Sequence, residues 1–256
     1  DGTGAAVYSH GLITLNTVTA RNNSDMGAYL NNNYAGFTSG VTILKSIFED
    51  NLESSGLIVY SRGNILANAV TANNNGSSGV WLRNDFEGAT GTITMLNTLG
   101  QNSVYDNEAN GLLILSNKAI TVTGVSLGRN GYIDSNGALT PAFHARSNQA
   151  GITLRNVLSE YNLQTGAFIS AYGPVLLDRV YSYNNGWADP DGTFDDGVYI
   201  LSQFGNVTLS NSAFAGNDGS GYVVDVNLPL YRLFLTNTTT YANDHDGSGD
   251  TETVVY

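Results

Sequence analysis

Apolar residues recur along this chain at fixed offsets inside a unit that returns every 23 to 32 residues. One strand of each unit opens at Ile13, Val41, Ile65, Ile93, Ile120, Ile152, Val175, Val207 and Leu233. Two positions further on stand Leu15, Ile43, Ala67, Met95, Val122, Leu154, Leu177, Leu209 and Leu235, apolar without exception. A strand ahead of each anchor opens at Gly4, Gly27, Gly56, Gly79, Gly111, Ala142, Gly166, Gly197 and Gly221. Alternate residues after these openings are apolar, as in Ala5 and Val7, Ala28 and Leu30, or Leu57 and Val59. That period of two belongs to strands with one buried face. A third short strand follows the anchor strand, with Val18, Val70, Val125, Val157 and Val180 as its inward positions.

Ten residues past the anchors stand Asn23, Asn51, Asn75, Ser103, Asn130, Asn162, Asn185, Asn217 and Asn243, so the row is Asn except at Ser103, which follows Asn102. Units in register stack as parallel strands about 4.8 Å apart. The recurrent Asn then forms a ladder, each amide donating to the next, while tolerating a turn conformation. The prediction is one all-β domain over residues 1–256: a parallel solenoid of about nine rungs and three parallel sheets, roughly 40 Å long. A β-sandwich would show hairpin turns and no fixed register. On these rows the chain resembles the right-handed parallel β-helix superfamily, the architecture of pectate lyases, polygalacturonases, phage tailspikes and bacterial surface proteins. That resemblance implies a fold and leaves activity open.

Composition narrows the functions. With 22 acidic and 10 basic residues the net charge is -12, so a phosphate backbone is repelled and nucleic acid is excluded as a natural partner. Charged residues are only 12% of the chain, which argues against a disordered acidic tail. No Cys is present, so neither disulfides nor thiolate metal sites hold the fold. No apolar run reaches the roughly 20 residues of a membrane span, and no signal peptide opens the sequence. Because the chain begins at Asp1 without Met, it is expected to be a processed or excised piece.

The resemblance leads to a search for catalytic segments. Of the Asn-Thr-Asp, Asp-Asp, Gly-His-Gly and Arg-Ile-Lys set of polygalacturonases, only Asp195-Asp196 occurs. The outer face of the opening strands carries Asp225 as its single carboxylate, which lacks the paired acids of glycosidases. That face does present large side chains in line: Tyr29, Trp81, His144, Phe168 and Tyr199, a candidate contact surface for sugar rings or protein.

The long corners Gly131 to Pro141 and Gly186 to Asp196 leave from one side of the coil. An Asp-x-Asp-Gly-x-x-Asp pattern occurs at Asp189, Asp191 and Asp195, extended by Asp196, and again at Asp244, Asp246 and Asp250. Alternating carboxylates around a Gly suit a hard cation, so calcium is the expected ion, although the bidentate Glu of an EF-hand is missing. An outward Thr row including Thr14, Thr42 and Thr94 follows from β-propensity. Of the sequons at Asn22, Asn75, Asn206 and Asn237, Asn75 belongs to the inward ladder, where a glycan conflicts with the fold.

Two functions are therefore expected. The first is an extracellular structural or adhesive β-helix: a fibre segment, surface-layer module or adhesin without a catalytic set. The second is a carbohydrate-active protein, binding module, lyase or hydrolase, that uses the first-sheet face on polysaccharide. Neither end shows a capping helix. The coil is expected to continue into more β-helix or to stack head to tail, with Ala5, Ala6, Val7 and Tyr8 meeting Thr253, Val254, Val255 and Tyr256.

Overall fold

The computed structural model describes residues 2–131, 140–187, 195–226 and 231–243, and the backbone of 252–255. It is a parallel β-helix. Ten strands stack in one sheet, from Ala5–Tyr8 through Ala28–Asn32 and Leu57–Ser61 to Tyr222–Val226 and Glu252–Val255. Pairing is in register throughout, with Leu112 opposite both Val80 and Phe143, and Ala167 opposite Val198.

The predicted second and third sheets are one. In five turns the anchor strand and its successor form single strands of nine residues: Val41–Glu49, Ile65–Asn73, Ile120–Gly128, Ile152–Glu160 and Val175–Tyr183. Each bends at its fifth residue, where Lys45, Ala69, Gly124, Asn156 and Arg179 have φ between 48° and 66°. A left-handed residue turns the inward face through the corner, and strand pairing resumes on both sides of it. These strands and the shorter ones in line with them make a sheet of thirteen.

Both sheets turn Val, Ile, Leu and Phe into a single core, in which Phe48, Phe143, Phe214 and Tyr222 are the largest fully enclosed side chains. A second left-handed column, including Asn22, Asp50, Asn74, Arg129 and Tyr161, precedes the Asn ladder. The ladder itself is continuous, and buried from Asn51 onward. Asn23 Nδ2 donates to Asn51 Oδ1 at 2.7 Å, Asn51 to Asn75 at 2.7 Å, and Asn75 to Asn107 at 2.9 Å. From Asn107 it runs on to Asn130 and so to Asn243.

Asn107, rather than Ser103, is the fourth-turn member. The chain makes a detour between Leu96 and Asn102 that is four residues longer than its neighbours' single bend residue, which displaces everything after it. Asn102 lies opposite Val125, and its amide donates to Leu96 O and Gly124 O, closing the widened corner. The opening Gly column follows from the ladder. A Cβ on Gly27 would lie 2.4 Å from Gly56 O and 2.8 Å from Asn51 Nδ2, closer than any side chain tolerates.

The opposite corner has a buried polar column that the apolar pattern does not announce: Asn32, Ser61, Asn84, Ser116, Ser147 and Ser202. These side chains bond the turn backbone, as in Asn84 Nδ2 to Gly91 O at 2.8 Å and Ser202 Oγ to Gly205 O at 2.8 Å. They satisfy groups that would otherwise be left without partners inside the coil. Among the described residues no helix is long and apolar enough to cross a membrane.

Candidate functional site

Period-two alternation sends every second residue of the opening strands outward. Register then sets Ala6, Tyr29, Ile58, Trp81, Leu113, His144, Phe168, Tyr199 and Val223 in one line along the coil. The predicted contact residues therefore share a face, but each is half-buried rather than open, and the line is broken into two patches by Leu113. In the first, Tyr8, Tyr29, Tyr60 and Trp81 follow one another with ring centroids 5.6 Å apart at tilted or edge-on angles. These geometries suit ring quadrupoles and stiffen the sheet. In the second, His144 meets the edge of Phe168 at 5.2 Å, and Phe168 stacks on Tyr199 at 5.6 Å.

Burial, with a smaller contribution from Arg146, lowers the His144 pKa to about 4, so its imidazole is neutral at pH 7. Burial raises the Tyr199 pKa, and Asp225 and Asp196 push it further the same way, so two carboxylates flank the phenol. The Tyr29 phenol is also raised by burial, while its hydrogen bond with Asn31 opposes the shift. All three rings are neutral contact groups across the neutral range.

Between the patches lies a charged bridge that strand periodicity could not reveal. Asp85, on the corner after Val80–Asn84, binds Arg83 Nε at 2.6 Å through Oδ1 and Arg146 at 3.0 Å through Oδ2. Its side chain is only 6% exposed. Arg83 and Arg146 lie in one outward column with Leu115 between them, so the carboxylate spans two turns. Arg83 also lies 4.8 Å from the centre of the Phe86 ring, a cation–π contact.

The acidic corners divide differently. Asp195 is 3% exposed, which contradicts a freely solvated turn. Its backbone carbonyl accepts from Gly219 N, and Asp196 Oδ1 accepts from Ser220 N at 3.0 Å. The two Oδ1 atoms converge on the Cα of Gly219, where a Cβ would meet them at 2.1 and 3.0 Å. Asp189, Asp191, Asp244, Asp246 and Asp250 lie outside the described residues. Among the described residues no three acidic or imidazole groups gather around a common centre.

Of the expected junction residues, Ala5 to Tyr8 pair with Ala28 to Asn31, and Ala6 and Tyr8 are exposed. The backbone of Thr253, Val254 and Val255 pairs with Val223, Val224 and Asp225 as the opening strand of a further turn. Tyr256 lies outside the described residues. At the sequons, Asn75 is buried as expected, while Asn22, Asn206 and Asn237 are exposed. Comparison of the chain with protein-family models, curated proteins and solved structures finds no match.

Proposed function

We propose that this chain is an extracellular structural or adhesive β-helix of the pectate-lyase-like superfamily, a rod that makes lateral contacts through its first-sheet face. The supporting observation is the line from Tyr29 to Tyr199: aromatic groups held in register on a stacked sheet, half-open to solvent along the length of the coil. Such a face offers apolar contact area at small entropic cost, because the rings are already held by their neighbours. In a filament the coil continues by strand pairing. Ala5 to Tyr8 and Thr253 to Tyr256 then meet at a junction with a second copy or with further β-helix, and light scattering reads that assembly.

The test is adhesion of protein-coated beads to polysaccharide films and to protein-coated surfaces, with a Trp81→Ala, Phe168→Ala, Tyr199→Ala variant as comparison. Circular dichroism verifies that the variant keeps its sheets. Loss of adhesion supports the contact face, and undiminished adhesion overturns it.

A carbohydrate-active function is the second reading, favoured by the convergence of Asp195 and Asp196 and by Asp196 lying near Tyr199. A reducing-sugar assay on acidic polysaccharides decides between them. Turnover that disappears in Asp196→Asn would replace the adhesive reading with the catalytic one.

A further inference from the structure

Away from the first-sheet face, the outer side of the bent sheet carries a groove of about 370 Å³, within the range of small-ligand sites. Register builds it. Glu160, Tyr183, Ala215 and Tyr241 are successive partners across four turns, so two tyrosines stand either side of an alanine. Ala215 and Gly216 form the floor, and Tyr161 stands on the neighbouring left-handed column.

Two of the most exposed large side chains among the described residues line it, Tyr161 at 51% and Tyr241 at 54%, and Trp187, at 64%, lies beside Tyr161. The Trp187 indole N–H donates to the Tyr161 carbonyl at 3.4 Å, which ties the indole to a residue that lines the groove. Tyr161 has φ 54°, in a column where other turns use Asn22, Asp50, Asn74, Asp106, Arg129, Asn184, Gly216 and Ala242, and it is the one aromatic residue among them. A bulky residue in that conformation costs on the order of 1–3 kcal/mol. The corner itself requires no ring there.

We infer that this groove binds one pyranose ring of a neutral glycan, held between Tyr183 and Tyr241 over Ala215. The strands that carry the two tyrosines are two spacings apart, roughly 9.6 Å. A flat aromatic touching both walls needs about 7 Å at contact distances near 3.5 Å. A puckered saturated ring, with hydrogens on both faces, is thicker and better matches the spacing at which the two tyrosines are rooted. Its equatorial hydroxyls would emerge at the rim, where Glu160, Asn184 and the phenols supply acceptors and donors. The Tyr183 phenol is raised by burial and then by Tyr241, so it stays a protonated donor. A proline ring is similarly thick but has no hydroxyls for this rim, and a net charge of -12 disfavours acidic sugars. The site is separate from the first-sheet face and stands whether or not that face is adhesive.

Trp187 is a built-in reporter, since Trp81→Phe leaves it the only indole of the two in the chain. That variant is titrated with neutral glucan, mannan and galactan oligosaccharides, with an acidic oligogalacturonide and with a proline-rich peptide, read by fluorescence and calorimetry. Saturable binding of a neutral oligosaccharide is expected. Tyr241→Ala, an exposed change that leaves the core intact, weakens it by about tenfold or more, as expected when a stacked anchor worth 1.4 kcal/mol or more is removed. Ala215→Tyr fills the slot and abolishes binding, whereas Leu52→Ala, an exposed change outside both the groove and the first-sheet line, leaves it unchanged. No saturable binding of any neutral oligosaccharide, binding indifferent to Tyr241→Ala, or peptide as the ligand that Tyr241→Ala releases would each overturn the inference.

Discussion

Replacing Asn107 by Ala tests the ladder at the turn where register is hardest to see. Asn107 accepts from the Asn75 backbone at 3.1 Å and from Asn75 Nδ2 at 2.9 Å, and its own amide donates to Ala72 O at 3.0 Å and Asn130 Oδ1 at 2.9 Å. Each lost bond costs about 1 kcal/mol net, and a buried donor left without a partner adds 1–3 kcal/mol. Two of the groups left behind keep another bond: Asn75 Nδ2 to Phe48 O, and Asn130 Oδ1 to Asn107 N. The Asn75 backbone N–H keeps none, so the expected loss is about 5–7 kcal/mol. Ser103→Ala, at a half-buried outward position, is expected within about 0.5 kcal/mol of the parent. Because a solenoid unfolds through nearest-neighbour units, urea denaturation is paired with hydrogen exchange at residues 72–130. If Ser103→Ala proves as costly as Asn107→Ala, or if Asn107→Ala is silent, the ladder assigned here is wrong.

Acid should weaken the fold through His144. Its pKa is about 4 when folded and 6.5 when free, so between those values the unfolded chain takes up a proton that the folded chain refuses. Stability is then fully retained above pH 6.5 and falls toward pH 4 by up to roughly 3 kcal/mol, at 1.36 kcal/mol per unit. His144→Phe should flatten that slope, and an unchanged slope in denaturant titrations would remove His144 as its cause. Ala69 occupies a left-handed bend at φ 57°. Ala69→Gly is expected to be neutral or to gain up to about 1 kcal/mol, and Ala69→Val to lose about 2 kcal/mol or more, both by urea titration. If the acidic corners hold calcium, millimolar Ca²⁺ raises the melting temperature and chelation reverses the rise. A melting curve indifferent to both removes the metal.

The stacked architecture was legible because it needs only what alternation and a repeat supply: apolar residues facing inward, a corner amide every turn, and glycine where that amide crowds the backbone. The fourth turn misled at Ser103 because a constant offset cannot register a detour inside the bend. Fusion of two sheets into one was hidden for a different reason. Its left-handed corners use Lys45, Ala69 and Arg179, residues whose identity does not advertise that conformation. The residues of the aromatic line do share one outward column, but their exposure was overstated, since rings on neighbouring strands cover one another. Asp85 was missed because it stands on a corner, outside any strand column. The groove at Tyr183 and Tyr241 was missed because outward positions were followed on the opening strands and not past the bend, where the same alternation would have found it.

In-register stacking makes the outside of the coil a lattice. Side chains can stand only at multiples of the strand spacing along the axis and at every second residue around it, so the distance between any two outward groups is quantised. A point substitution changes what is pegged at a site without moving the site. A polymer with its own repeat, laid along the axis, would meet this surface as one scale of a vernier meets the other, matching at some steps and drifting out of phase at others. Selectivity for the period of a partner would then reside in the backbone, while the identity of the side chains sets only how strongly each coincidence is felt.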